Sequence, residues 1–270
     1  MRLRKRLGIS NVLTTFMLTA VLLVILMTAT FVSNDILNAQ MVESEFENAK
    51  NLIRTIDNEI EELLFKPGSS SVIQASFTNI LPGYHESNQD IDILVEDESS
   101  SQAYINESIK MNEFTFTGRR VFGGEYNYSL KGGSYLLAPI NNGSLGRIYF
   151  SKPDKLQVLL DYHRVLYALT GKIYFINSQS GNYSLHNTVE LVCVELEFGE
   201  FSSSDNSVIV VQNHRDELPI AKDIDGDFTI SVISPNDNRT ISLSEMGGDP
   251  LLPTVLTLYQ ITIKISVLGG

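Results

Sequence analysis

Tryptophan is missing from this 270-residue chain, and cysteine occurs once, at Cys193. A single thiol excludes an intrachain disulfide and any thiolate zinc cluster. Positive charge is also scarce. Twenty lysines and arginines stand against 32 aspartates and glutamates, for a formal charge of −12 and a pI near 4.8. That balance argues against nucleic acid as a partner, because phosphate binding needs a cationic face that releases counterions.

Catalytic signatures are absent too. His85, His163, His186 and His214 are scattered singly, with no HxH or HExxH pair for a metal. Asn142-Gly143-Ser144-Leu145-Gly146 reads as a hairpin loop and not a nucleophile elbow. Gly171-Lys172 lacks the upstream glycine of a phosphate loop. Cys193 lies in an apolar run and reads as a small core residue. The expectation is a protein that is not an enzyme and holds no cofactor.

What the chain does have is concentrated at its amino terminus. Residues 1–8 carry Arg2, Arg4, Lys5 and Arg6 and no acid, and form a basic leader. Ile9 to Val32 then run without a charge. A helix of that length rises about 36 Å, enough for a hydrocarbon core of about 30 Å. The assembly or transmembrane helix is set at 9–33. The one-sided basic cluster predicts a single pass with the amino terminus in the cytoplasm and the rest outside. The apolar run is longer than a secretory signal's and has no good small-x-small site after it.

The stretch Arg4-Lys5-Arg6-Leu7-Gly8-Ile9-Ser10-Asn11-Val12-Leu13 resembles the start of archaeal type IV pilin-like proteins. In that family a basic segment ends in glycine, a class III signal peptidase cuts after it, and an apolar helix follows. The resemblance implies Gly8 at the cut and Ile9 as the first mature residue. Such processing removes four basic residues and takes the formal charge from −12 to −16. The resemblance covers about 33 residues. Leu13 stands at the fifth mature position, where bacterial members carry glutamate and many archaeal ones do not.

Residues 34–66 change to an amphipathic pattern. Val42, Phe46, Ala49, Ile53, Ile56, Ile60 and Leu63 recur at alternating spacings of four and three, which predicts a stalk helix with one apolar seam. The seam packs either against the chain's own outer domain or between subunits. Pro67-Gly68 ends the helix. Residues 67–270 show short alternating segments between glycine, asparagine and serine clusters, so an all-β, sandwich-like domain is expected. The fold class is therefore α+β, a long amino-terminal helix followed by a β domain. Lys155–Leu169 reads equally as a helix or as two short strands. In the final segment Val255, Tyr259, Ile261, Ile263, Ile265 and Val267 share one strand face.

Two polar patterns complete the reading. Asp223, Asp225 and Asp227 alternate like the front of a calcium loop, although Phe228 replaces the required glycine and Ser234 the bidentate glutamate. The competing reading is a hairpin whose Asp225-Gly226 turn joins Pro219–Lys222 to Phe228–Ile233. Asparagine sequons at Asn106, Asn127, Asn142, Asn182 and Asn238 all follow the apolar span, as in a glycosylated surface domain. Two functions are expected from this. One is a structural subunit of a pilus-like surface filament, with the membrane, its own copies and a class III signal peptidase as partners. The other is a bitopic membrane protein whose outer domain binds a ligand or acts as a sensor.

Overall fold

The computed structural model describes residues 4–77, 80–98, 103–118, 128–151, 157–176, 183–202, 206–214 and 218–269. The chain divides into two compact units, Met1–Glu47 and Asn48–Gly270. The first consists of the leading part of helix α1 (Arg4–Leu63), in which residues 12–41 are all exposed.

The second unit begins with the last turns of α1, whose Ala49, Ile53, Ile56, Ile60 and Leu63 are buried. This part of the predicted seam is used within the chain's own domain, as the first of the two alternatives had it. The helix stops four residues before Pro67, and Gly68 takes a left-handed φ of +76° that a residue with a Cβ resists. The side chain of the buried Asn213 then donates to the carbonyls of Leu63 (2.6 Å) and Leu64 (3.0 Å). These two acceptors have no partner inside the helix, so Asn213 closes its end.

The strands follow in order: β1 (Ser70–Ser76), β2 (Ile80–His85), β3 (Asp90–Asp97), β4 (Ala103–Lys110), β5 (Glu113–Gly118) and β6 (Ser129–Lys131). Next come β7 (Leu137–Pro139), β8 (Arg147–Ser151), β9 (Gln157–Asp161), β10 (Val165–Ile176) and β11 (Tyr183–Phe201). The last are β12 (Asn206–Asn213), β13 (Ile220–Ile224), β14 (Phe228–Ile233), β15 (Asn238–Ser242) and β16 (Thr254–Gly269). They form three sheets, ordered β1-β12-β16-β11-β10-β7 with β13 also on β16, then β15-β14-β3-β4, and β2-β5-β9-β8-β6. The expected α+β class, a long apolar helix followed by a β domain, is what the chain adopts.

β11 and β16 run parallel at the centre of the largest sheet. Leu191, Val192, Cys193 and Val194 are all buried, so both faces of β11 are covered. One face carries Val189, Leu191 and Cys193 into a core shared with Ile91, Ile93 and Val95 of β3 and Phe228, Ile230 and Val232 of β14. β16 serves both sides in turn. Leu256 and Leu258 are buried in that core, while the alternation then shifts and Ile261, Ile263, Ile265 and Val267 are buried instead. Val255 and Tyr259, expected among the inward residues, are only half-buried.

The ambiguous Lys155–Leu169 region holds two strands, β9 and the start of β10, within its described residues. The expected hairpin across Asp225-Gly226 does not form. β13 pairs with β16 while β14 pairs with β3 and β15, so the turn carries the chain from one sheet to another. Gly226, at φ +90°, makes that change of direction.

Candidate functional site

The amino-terminal helix is the first candidate. It is the one helix, among the described residues, long and apolar enough to cross a bilayer, and none of its most apolar stretch is buried. Phe16, Leu22, Leu26 and Phe31 are each more than half exposed. The threonines do not break it, because their hydroxyls bond back to the preceding turn: Thr19 to Thr15 O (3.0 Å), Thr28 to Val24 O and Thr30 to Leu26 O (both 2.8 Å). Gly8 and Ile9 fall inside α1, which starts at Arg4.

A buried ionic network lies in the second unit. Asp57 of α1, fully buried, accepts the Tyr162 hydroxyl at 2.6 Å and is paired with Lys131, which also reaches Glu61 at 2.7 Å. Burial works against the charge on Lys131, but its bonds to Asp57 and Glu61 outweigh it and raise its pKa. Burial also pushes the Tyr162 phenol well up, and the Asp57 carboxylate adds to that shift. Gly146 leaves the room for this contact, since a Cβ there would lie 2.0 Å from Asp57 Oδ1. The sequence reading of the seam followed its apolar positions and did not single out Asp57. Its signal was the spacing, four residues after Ile53 and three before Ile60, which puts it on the seam itself.

A second buried acid, Asp161, holds two guanidiniums. Arg147 binds its Oδ2 (Nε 2.7 Å) and Arg164 its Oδ1 (3.3 Å). Arg164 is buried and has its pKa lowered, because burial costs its charge more than Asp161 returns. Beside them His163 Nδ1 stands 3.9 Å from both Asp161 and Glu113. Glu113, Asp161 and His163 are the three metal-capable groups that the described residues bring within 4.8 Å of one another. Their surroundings do not fit a resident cation. Both Asp161 oxygens already carry an arginine, Glu113 accepts the Tyr149 hydroxyl at 2.6 Å, and a divalent ion would add charge beside two guanidiniums. The cluster ties β5, β8 and β9 together.

The Asp223, Asp225 and Asp227 run is not gathered in this way. Asp223 lies exposed on β13, Asp225 is exposed in the turn, and Asp227 Oδ1 accepts the Phe228 amide at 3.0 Å. Asn106, Asn142 and Asn238 are exposed, while Asn127 and Asn182 lie outside the described residues.

Ser184 Oγ meets His186 Nε2 at 2.8 Å, a pairing that resembles half of a nucleophilic dyad. Among the described residues His186 Nδ1 has no hydrogen-bond partner to orient the ring, and the third member of such a site is what fixes the tautomer.

The remaining candidate is a polar cleft of about 510 Å³ between β3, β4, β11 and β16. Asp90 stands opposite Lys110, and Glu197 opposite Lys264, at paired strand positions. Glu86 and Glu195 have no such counterpart, so the walls carry two more acids than bases. Burial raises the Glu195 pKa; Lys110 opposes the shift and Glu197 and Asp90 add to it. Asn112 sets the floor. It is buried, its side chain donates to Leu196 O (2.8 Å) and accepts from the Ser87 amide (3.1 Å), and its backbone carbonyl meets His163 Nε2 at 3.1 Å. The arrangement can hold a polar ligand that offers cationic or hydroxyl groups to carboxylates.

Comparison with protein-family models, curated proteins and solved structures finds no match to the chain.

Proposed function

We propose that the protein is a pilin-like structural subunit of the cell surface, with a leader cut after Gly8 and a helix from Ile9 that serves first as membrane anchor and then as assembly element. The observation that carries this reading is the contrast within α1. Residues 12–41 are exposed around the whole helix and apolar through Val32, whereas from Ala49 one face is buried in the chain's own domain. An uncharged segment exposed on every side needs a cover that the described residues do not supply, either lipid or other copies of itself. Lipid tails are as apolar as leucine, so helix contact in a bundle comes from small residues and interhelical hydrogen bonds. Thr14, Thr15, Thr19, Ala20, Thr28, Ala29 and Thr30 supply both. The basic leader supports a cytoplasmic amino terminus and an outer β domain.

The test is to place a charge on the segment. Thr15→Arg and Ala20→Arg each cost about 2.5–3.5 kcal/mol near mid-span, repeated in every subunit. Filaments seen on wild-type cells should disappear with either variant, at matched amounts of protein in the membrane fraction. Filaments that persist, or wild-type cells bearing only single heads, would reject the reading.

A second reading, a membrane-anchored binding domain, draws on the polar cleft and its surplus of carboxylates. It is favoured if a cationic ligand protects the wild-type chain against thermal unfolding and Glu195→Gln removes that protection.

A further inference from the structure

The far ends of β10 and β11 form a two-stranded arm whose apolar face has no cover among the described residues, and we propose that this arm binds the same arm of a second copy of the chain. The inference goes beyond the assembly helix and depends neither on processing nor on filaments.

β7 pairs with β10 only from Val165 to Tyr167, and β16 meets β11 only from Asn187 onward. Ile173, Tyr174, Phe175 and Ile176 therefore pair solely with His186, Leu185, Ser184 and Tyr183, and both outer edges of the ribbon are open among the described residues. Opposed residues share a face, so Tyr174, Leu185, Ile176 and Tyr183 lie together. Tyr174 is 72% exposed, Ile176 62% and Tyr183 69%.

This is the same face of β11 that carries Val189, Leu191 and Cys193 into the core. The cover ends at Asn187, which is fully buried and donates to Asp249 O (2.9 Å), Thr254 Oγ1 (3.2 Å) and Leu252 O (3.4 Å). Two residue pairs beyond it, the apolar face continues without its second layer. A two-stranded ribbon alone is marginal in water, and an open apolar edge is a template for another strand.

Charge selects the occupant. The chain carries −12, yet residues 170–176 and 183–189 contain no acid. The one lysine or arginine there, Lys172, is paired with Asp249 at 3.3 Å. Two acidic domains therefore meet with least repulsion at this arm. Its face is also self-complementary: two arms packed face to face about a two-fold axis cover each other's Tyr174, Ile176 and Tyr183. A lipid surface is the poorer fit, since the arm has no unpaired Lys or Arg to hold an acidic domain at anionic headgroups.

The experiment uses full-length chains in native membranes, with Tyr174→Cys as the reactive position. The native Cys193 is fully buried, with its thiol pushed up to about 12 by burial, and stays silent to the reagent. A short bis-maleimide should give a dimer band several-fold stronger than from Gln89→Cys, which is exposed on a different loop. Adding Ile176→Asp should reduce the band to the Gln89→Cys level while Cys193 remains protected, which shows that the core is intact. A Tyr174→Cys yield no greater than that of Gln89→Cys overturns the proposal. So does a fluorophore at this cysteine that reports an apolar environment in nanodiscs holding one chain each, because lipid would then be the partner. Cross-linking at this position without filaments leaves the arm contact standing and removes the pilin reading; filaments without cross-linking do the reverse.

Discussion

The Tyr162 hydroxyl donates to Asp57 Oδ1 at 2.6 Å, joining the end of β9 to helix α1 across 105 residues of sequence. Both side chains are buried, and Lys131 supplies the opposing charge. The carboxylate is therefore held by a phenol and an ammonium at once, and neither partner can leave without exposing a charge to an apolar site. Asp57→Ala should cost about 1–3 kcal/mol, because it leaves the buried Tyr162 hydroxyl without its acceptor and the half-buried Lys131 with only the exposed Glu61. Glu61→Gln, on the solvent side of the same lysine, should cost under about 1 kcal/mol. Urea unfolding of the two variants checks the contrast, and equal losses would mean that Asp57 is not the anchor.

Gly146 bears on the same contact. Alanine there would put a Cβ 2.0 Å from Asp57 Oδ1 and 3.1 Å from the Tyr162 hydroxyl, both on buried side chains. The expected loss is about 1–3 kcal/mol, the usual range for overpacking. In the Gly146→Ala/Asp57→Ser double variant, where the shorter side chain relieves the clash, the losses should sum to less than those of the two singles. Full additivity in denaturant melts would count against the close approach.

Asn213 closes the carboxyl end of α1 from a strand 150 residues away. Asn213→Ala leaves the buried Leu64 carbonyl without its amide donor and Leu63 O with the Lys66 amide alone, and about 1–3 kcal/mol of stability should go with it. Amide exchange should quicken in the last turn of the helix before it quickens in β11. Unchanged protection at Leu63 and its neighbours would show that the helix end does not need this cap.

Glu195 predicts a slope with pH. Burial holds its folded pKa above the ordinary carboxyl value of 4.5, so the folded chain keeps this proton to higher pH than the unfolded chain does. Its contribution is complete below the ordinary value and declines as pH rises through the shifted one. Glu195→Gln should flatten that part of the stability profile and leave the chain no less stable at pH 7. A slope unchanged in the variant would assign it to another group.

Much of the architecture could be read in advance, for identifiable reasons. The end of α1 followed from the three-four spacing and the Pro67-Gly68 break, and most strands followed from alternation. β2 is poorly legible because Pro82 and Gly83 interrupt its alternation; as an edge strand paired only with β5 among the described residues, it tolerates a residue with no amide to donate. β4 is poorly legible because Asn106, Glu107 and Ser108 make it polar, as suits an edge strand with Asn106 and Ser108 exposed. The Asp225-Gly226 turn looks local in sequence, but β13 and β14 each find a better-buried neighbour elsewhere. The buried acids were the least legible, since a lone aspartate shows neither its lysine nor its tyrosine, and those arrive from 74 and 105 residues away.

The central claim is that the helix is released for assembly by a cut between Gly8 and Ile9. Amino-terminal sequencing of the protein recovered from the membranes and surface of its native host tests it most directly. The account predicts mature chains that begin at Ile9, and a Gly8→Val precursor that stays uncut because a β-branched side chain fills the space left by glycine. Wild-type chains that begin at Met1 or Arg2 would contradict it.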